Sequence, residues 1–169
     1  MKSNGRLVLI GILFNLFWLL LVLGQDKYLW LGAFFLLLNG FIFPRSILFA
    51  ILLAAQGILM DTVLGWLGLF QFDTVFIPLW LIILWLGFAS FVWHIQEQIL
   101  GRAPGLILLL GGIGGMLSYV AGARLGAVVL PMNFYLTASV LFLCWVLFSV
   151  LVLFWLKKYK ERSGMEASS

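Results

Sequence analysis

The chain has 169 residues, of which 64% are hydrophobic and only 9% are charged, and its formal net charge is +4. A soluble domain is about 45–50% apolar and about 25% charged. The composition therefore excludes an ordinary globular enzyme, a nucleic-acid-binding module and a disordered protein. It predicts an all-α, polytopic membrane protein.

Six apolar runs follow one another along the chain, separated by short polar or proline-containing loops. A transmembrane helix needs about 20 apolar residues, with a range of roughly 17–25. We predict a six-helix transmembrane bundle that forms a single domain over residues 1–156, followed by a basic polar tail over 157–169. The predicted helices are residues 7–23, 28–43, 46–60, 74–93, 105–121 and 134–156.

The third predicted helix has two possible ends. Asp61 interrupts the apolar run, and the apolar segment 62–72 follows it. A segment of this length suits a re-entrant or interfacial piece better than a span. In the alternative, the third helix covers residues 46–70 and carries Asp61 inside the membrane. Both versions keep the six-span topology.

The basic residues predict the orientation of the bundle. If the N-terminus is cytoplasmic, eight Lys and Arg residues lie on the inner side and two, Lys27 and Arg124, on the outer side. Cytoplasmic loops carry the excess of Lys and Arg, so both termini are predicted to be cytoplasmic. We expect the first run to be retained, because its seventeen residues exceed the usual apolar region of a cleaved signal peptide.

Asp61 and Arg124 are the charged residues nearest to the spans. They follow predicted helices that run in the same direction, so they lie on the same side of the membrane. In one interpretation they form the charged floor of an outward-facing cavity, where Arg124 holds an anionic head group and Asp61 acts as a base. In the other they form a structural ion pair or are two separate interfacial residues.

Further polar residues complete a tentative ligand-binding set. It comprises Asp61, Arg124, Tyr119, Ser118, Gln56 and Asn15. Amides within spans commonly hydrogen-bond across helices, so Asn15, Asn39 and Gln56 could equally be packing residues. No nucleophile–base pair or paired carboxylates mark a catalytic site, and no Cys/His spacing marks a metal site. We expect no cofactor, and a binding protein rather than an enzyme.

Two kinds of residue predict helix packing or ligand contact. The fifth predicted helix and the residues just after it carry Gly111/Gly115 and Gly122/Gly126, small pairs that let helices approach closely, including a helix of another membrane protein. Three tryptophans fall toward the middle of spans, where they could fill the core or line a groove for an isoprenoid, quinone or acyl chain. They are Trp80, Trp85 and Trp145.

Two sequence blocks carry a family resemblance. They are Gly57-Ile-Leu-Met-Asp61-Thr and Ser118-Tyr119-Val-Ala-Gly122-Ala-Arg124-Leu-Gly126-Ala127. With them, residues 7–155 resemble an uncharacterised family of small bacterial inner-membrane proteins, domain of unknown function 2878. The resemblance implies an inner-membrane location and no activity. Because members often neighbour genes for fatty-acid-modifying enzymes of the cyclopropane-synthase type, it also implies a lipid context.

A looser similarity relates the six-helix architecture to MreD-type rod-shape proteins and to substrate-binding membrane subunits of energy-coupling-factor transporters. It concerns the fold, which does not establish function.

Three functions remain open from the sequence. The leading one is an accessory factor in envelope lipid modification or handling, which binds a hydrophobic or lipid-like ligand near Asp61 and Arg124 with membrane lipids as partners. The second is a transport component that binds a small solute from outside. The third is a structural scaffold that docks a partner helix on the glycine face.

Overall fold

The computed structural model describes residues 2–166, with side chains over residues 5–161. This part of the chain is helical apart from short connections, which confirms the all-α fold. A 3₁₀ turn at Gln25–Tyr28 joins the first two helices. The α-helices are α1 (Lys2–Gly24), α2 (Leu29–Ile42), α3 (Ser46–Trp66), α4 (Leu79–His94), the short α5 (Gln96–Leu100), α6 (Pro104–Arg124) and α7 (Phe134–Glu166).

Most of the long helices have the length and composition of membrane spans. Four apolar stretches are long enough to cross a bilayer: Gly5–Ile42, which contains most of α1 and all of α2, Ser46–Trp66, Pro104–Arg124 and Phe134–Glu161. Helix α4 is also apolar but shorter, with 16 residues. The outer faces of these helices are apolar, as the exposure of Leu37 (74%) and Leu147 (66%) illustrates. In water such surfaces would be unfavourable, whereas lipid chains solvate them. The protein is therefore an integral membrane protein.

Several helix boundaries differ from the sequence expectation, and three of them change the interpretation of a segment. Helix α3 ends at Trp66, so Asp61 lies within it, as the longer alternative predicted, and segment 62–72 is not a separate re-entrant piece. Helix α4 begins at Leu79 rather than at 74, because Pro78 is extended (φ −66°, ψ 148°) and forms its N-terminal cap. Helix α7 continues to Glu166, into the predicted tail, and residues 167–169 of that tail lie outside the described residues.

Helices α3 and α6 end in the same way. Gly68 and Gly126 have φ of 76° and 79°, a conformation that glycine adopts without strain. In each case the N–H of the residue after the glycine donates to the carbonyl five residues back, at 3.1 and 2.9 Å. This is the Schellman arrangement, which satisfies the last carbonyls of a helix. Gly126, predicted to be a packing residue, therefore terminates the helix.

Residues 58 or 60 positions apart meet each other along the middle of the bundle. Contacts between equivalent residues are what a twofold axis produces. The pairs are Asp61 with Tyr119 through a hydrogen bond, Gln71 with Val129 through backbone bonds of 2.8 and 2.9 Å, and Trp85 with Trp145 through ring stacking at 5.4 Å. Helices α3–α4 and α6–α7 are thus two halves related by an approximate twofold axis that runs along the helices.

Four rings on this axis form the centre of the core. Trp85 lies 5.2 Å from Phe148, and the equivalent pair, Trp145 and Phe88, lies 5.4 Å apart between ring centroids. Reciprocal contacts of this kind bury large apolar surface from both halves at once. The aromatic cluster therefore joins the two halves.

The first two helices break the symmetry. Phe14 of α1 stacks on Phe91 of α4 with 4.5 Å between ring centroids. Asn39 of α2 lies 2.7 Å from His94 Nε2 at the end of α4, which is the kind of bond across helices expected of this amide. Helix α7 packs on α6, α3 and the short α5 instead. In the described part of the chain, α1 and α2 thus pack mainly on the half formed by α3 and α4.

The glycine face of α6 packs against α7 of the same chain. A Cβ atom added at Gly115 would overlap the Trp145 ring, and one added at Gly111 would overlap the Ser149 hydroxyl. At Gly122 the Cβ would make an ordinary contact with Val128, at 3.6 Å. Helix α7 of the same chain thus occupies the surface at Gly111 and Gly115 where a partner helix is predicted to dock.

Two adjacent glycines provide a matched test of this packing. We expect Gly115→Ala to lower the thermal midpoint of the detergent-solubilised protein, because overpacking of a core costs about 1–3 kcal/mol. Gly114→Ala, on the same helix with nothing within 4 Å of its added Cβ, should leave the midpoint unchanged or raise it through better helix propensity. Equal losses in both variants would contradict the close packing of α6 on α7.

Candidate functional site

Asp61 lies at the contact between the two halves and has no solvent exposure. Its carboxyl oxygens accept hydrogen bonds from Trp85 Nε1 at 2.7 Å and from the Tyr119 hydroxyl. Gly57, one turn earlier on the same face of α3, makes room for the indole, since a Cβ there would overlap the Trp85 ring. The spacing Gly57-x-x-x-Asp61 therefore creates both the space and the acceptor that Trp85 needs.

The same spacing recurs in the other half with different chemistry. Gly115 makes room for the Trp145 ring, and Tyr119 stands where Asp61 stands in the first half. Trp145 Nε1 is buried and has no hydrogen-bond partner of normal geometry among the described residues. The two tryptophan rings thus occupy equivalent positions, but of these two indoles only that of Trp85 has a hydrogen-bond acceptor of normal geometry.

Arg124 does not join Asp61. It is exposed at the end of α6, and the described residues form no ion pair between the two side chains. Neither the charged floor nor the structural ion pair is therefore present. Tyr119 does converge with Asp61, but a solute site that needs Asp61 and Arg124 in one open cavity is absent from the described part of the chain.

A cavity of about 460 Å³ lies between the two halves. Its volume is in the range of small-molecule sites, roughly 300–1,000 Å³. The wall is formed by aromatic rings, aliphatic side chains and glycines, and it includes Trp80, Trp85 and Trp145, which belong to the buried core as well. No charged residue of the described chain lines it. The side chains with amide or hydroxyl groups in its wall are Asn15, Ser118, Tyr119 and Ser149.

The cavity opens sideways between α1 and α6. Its walls on α4 and α7 are buried, with exposures of 5% at Trp80 and 2% at Phe148. Its walls on the other two helices include exposed residues, among them Asn15 and Gly114. A hydrogen bond of 3.0 Å from Trp18 Nε1 to Ser118 Oγ joins the two sides. The opening faces the position that lipid chains would occupy around the bundle.

The cavity is long, and Ser118 and Tyr119 lie toward one end of it. Along α6 it extends from Ile107 to Gly122, about 22 Å at 1.5 Å per residue. Trp18 and Ser118 both lie six residues before the ends of their helices, about 9 Å from those ends. Tyr119 is one residue further along. The other two polar side chains of the wall, Asn15 and Ser149, lie away from this end and donate to carbonyls of their own helices. A molecule in this cavity would meet Ser118 and Tyr119 near one end and a largely apolar wall over the remaining length.

The two amides predicted for the site differ in their positions. Asn15 lines the cavity, and its Nδ2 donates to the carbonyl of Gly11 at 2.8 Å. Gln56 does not line it. Its Oε1 accepts a hydrogen bond of 3.2 Å from Trp155, so that it joins α3 to α7 as a packing residue.

Sequence reasoning missed Trp18 as a site residue. It also missed the internal repeat, although a signal for it exists: a glycine four residues before Asp61 and another four before Tyr119, each followed by a tryptophan in the next long helix. Comparing the two halves at this spacing would have paired Asp61 with Tyr119 rather than with Arg124.

Trp85 and Trp145 form a matched pair for testing the Asp61 hydrogen bond. We expect Trp85→Phe to destabilise the protein more than Trp145→Phe, by about 1–2 kcal/mol, because only the first change leaves an acceptor of Asp61 without its donor. Both changes remove a similar part of the stacked pair. The measurement is the thermal midpoint of each purified variant. A larger loss for Trp145→Phe would show that the hydrogen bond contributes little.

No curated protein and no solved structure matches the chain. A model for a family of proteins of unknown function, DUF2878, matches residues 7–151. The match covers the six long helices up to the middle of α7, including every residue that lines the cavity except Val152. The chain therefore belongs to the DUF2878 family.

Proposed function

We propose that this membrane protein holds one lipid-like molecule in the cavity between its halves and acts as an accessory factor in envelope lipid modification or handling. The observation that carries this proposal is the cavity itself, which is largely apolar, open toward the side of the bundle and lined by Ser118 and Tyr119 near one end. Lipids have the same division between a long apolar part and a short polar part.

The dimensions support an elongated ligand. The cavity extends about 22 Å along α6. Such a space suits a hydrocarbon chain better than a compact solute. Four of its wall residues are tryptophans, namely Trp18, Trp80, Trp85 and Trp145, and large rings give extensive contact at low cost in conformational entropy.

Asp61 has a positioning role in this proposal. It is fully buried and does not belong to the cavity wall, whereas its two donors, Trp85 and Tyr119, do. Its carboxyl group accepts hydrogen bonds from both side chains and so fixes the positions of both rings from outside the cavity wall. The ligand would therefore contact Tyr119 and Trp85 rather than the acid.

The proposed location is the bacterial inner membrane, with both termini cytoplasmic. The distribution of Lys and Arg supports this orientation. Helices α1, α3 and α6 would then run outward, and the polar end of the cavity would lie in the outer leaflet. A lipid could then be held with its head at the level of outer-leaflet lipids and its chain between the two halves.

Gly114 offers a way to block the cavity without disturbing the core. It lines the cavity, and a Cβ added there meets nothing within 4 Å. We expect Gly114→Leu to lose most of the lipid that co-purifies with the wild-type protein, measured by native mass spectrometry after mild detergent extraction.

Gly11→Leu is the matched control, because Gly11 also has open space around it but lies outside the cavity wall. It should retain bound lipid as the wild type does. Retention of lipid by the folded Gly114→Leu protein would contradict binding in this cavity.

The role in lipid handling has its own test. In a strain that lacks the gene, we expect the abundance of one membrane lipid class to change, and we expect wild-type protein or Gly11→Leu to restore it while Gly114→Leu does not. Untargeted analysis of extracted lipids measures this. An unchanged profile in the deletion strain would refute the lipid-handling role, whereas lipid binding by the purified protein would stand on its own.

A further inference from the structure

We infer that the ligand is an uncharged amphiphile, a long hydrocarbon chain with a hydroxyl or ester carbonyl group, and that this oxygen accepts a hydrogen bond from the Ser118 hydroxyl. This inference rests on the proposed function and adds the chemical class of the ligand. Two independent features carry it: the absence of charge from the cavity wall and the hydrogen-bond state of Ser118.

The described cavity wall has no charged side chain that could pair with a charged head group. None of the described residues in the wall is acidic or basic, and the nearest acid, Asp61, already accepts two hydrogen bonds inside the protein. Burying an ion without a partner of opposite charge is costly in an apolar environment. A phosphate or ammonium head would find no such partner in the cavity, whereas a hydroxyl or an ester needs only a hydrogen bond.

Ser118 has a hydroxyl hydrogen to donate. Serine and threonine inside helices commonly donate to a carbonyl of the preceding turn. Thr62, Ser90 and Ser149 do so, at 2.7, 2.9 and 2.7 Å. Ser118 makes no such bond among the described residues, and its oxygen instead accepts from Trp18 Nε1.

The other hydroxyl in this part of the wall differs. The Tyr119 hydrogen is directed to Asp61, so its oxygen is left to accept. Ser118 is therefore the hydroxyl of this part of the wall that has a hydrogen for a ligand, and either a ligand hydroxyl or an ester carbonyl could accept it.

Tryptophan quenching can test this assignment, since four tryptophans line the cavity. The protein is reconstituted in phosphatidylcholine nanodiscs and titrated with three probes of the same chain: dibrominated octadecanol, its sulfate ester and dibrominated octadecane. We expect saturable quenching by the alcohol at the lowest concentration, weaker binding of the hydrocarbon and no saturable quenching by the sulfate. Gly114→Leu should abolish the saturable part.

Two serine variants locate the oxygen of the ligand. Ser118→Ala should weaken binding of the alcohol by about three- to tenfold, the effect of one lost hydrogen bond, and should leave binding of the hydrocarbon unchanged. Ser90→Ala is the control, because its hydroxyl bonds within its own helix and lies outside the cavity wall. The hydrocarbon probe separates a lost ligand contact from a general disturbance of α6.

The outcomes separate this inference from the proposed function. If alcohol and sulfate bind equally well and Gly114→Leu abolishes both, the cavity binds lipids but the restriction to uncharged ligands is wrong. If Ser118→Ala weakens the alcohol and the hydrocarbon equally, the assignment of Ser118 is wrong. If no probe shows saturable quenching that depends on Gly114, lipid binding in the cavity is wrong as well.

Discussion

The hydrogen bonds to the buried Asp61 impose the main constraint on this fold. A carboxyl group in the apolar interior of a membrane protein is costly unless donors reach it. Here the donors come from Trp85 on α4 and Tyr119 on α6, so three helices must meet at one point. Gly57 and Gly115 are required for the same reason, because the indoles beside this point lie directly on the backbones of α3 and α6.

Composition was enough to predict the helices but not the faces by which they pack. Backbone groups in a bilayer must be satisfied within each segment, so long apolar runs become helices. Helices that are apolar all round carry no stripe that distinguishes core from lipid. Asp61 shows the consequence. Topology placed Asp61 on the same side of the membrane as Arg124. However, Arg124 follows Tyr119 by five residues, so it lies about 140° further around α6 and points away from Asp61.

Glycine pairs with the same spacing in the sequence also have different structural roles. Gly111 and Gly115 pack on α7, whereas Gly126, one member of an identically spaced pair, ends α6 with a positive φ. The pattern of small residues four apart indicates close approach, but it does not say whether the partner is another helix or a turn of the same chain. The ligand-binding set divides for a similar reason, since Gln56 and Asn15 are both amides within spans and only Asn15 reaches the cavity.

The cavity lies beside α1, which has no counterpart in the twofold relation. Each half buries its tryptophan against its own glycine, and the stacked rings hold the halves together at the axis. Helix α1 packs mainly on α4, and α6 mainly on α7, so the helices beside the opening belong to different packing units. The Trp18–Ser118 hydrogen bond connects them. Because Trp18 donates to the Ser118 oxygen and the Ser118 hydrogen remains for a ligand, Ser118 can bind a ligand and keep the two sides of the opening joined.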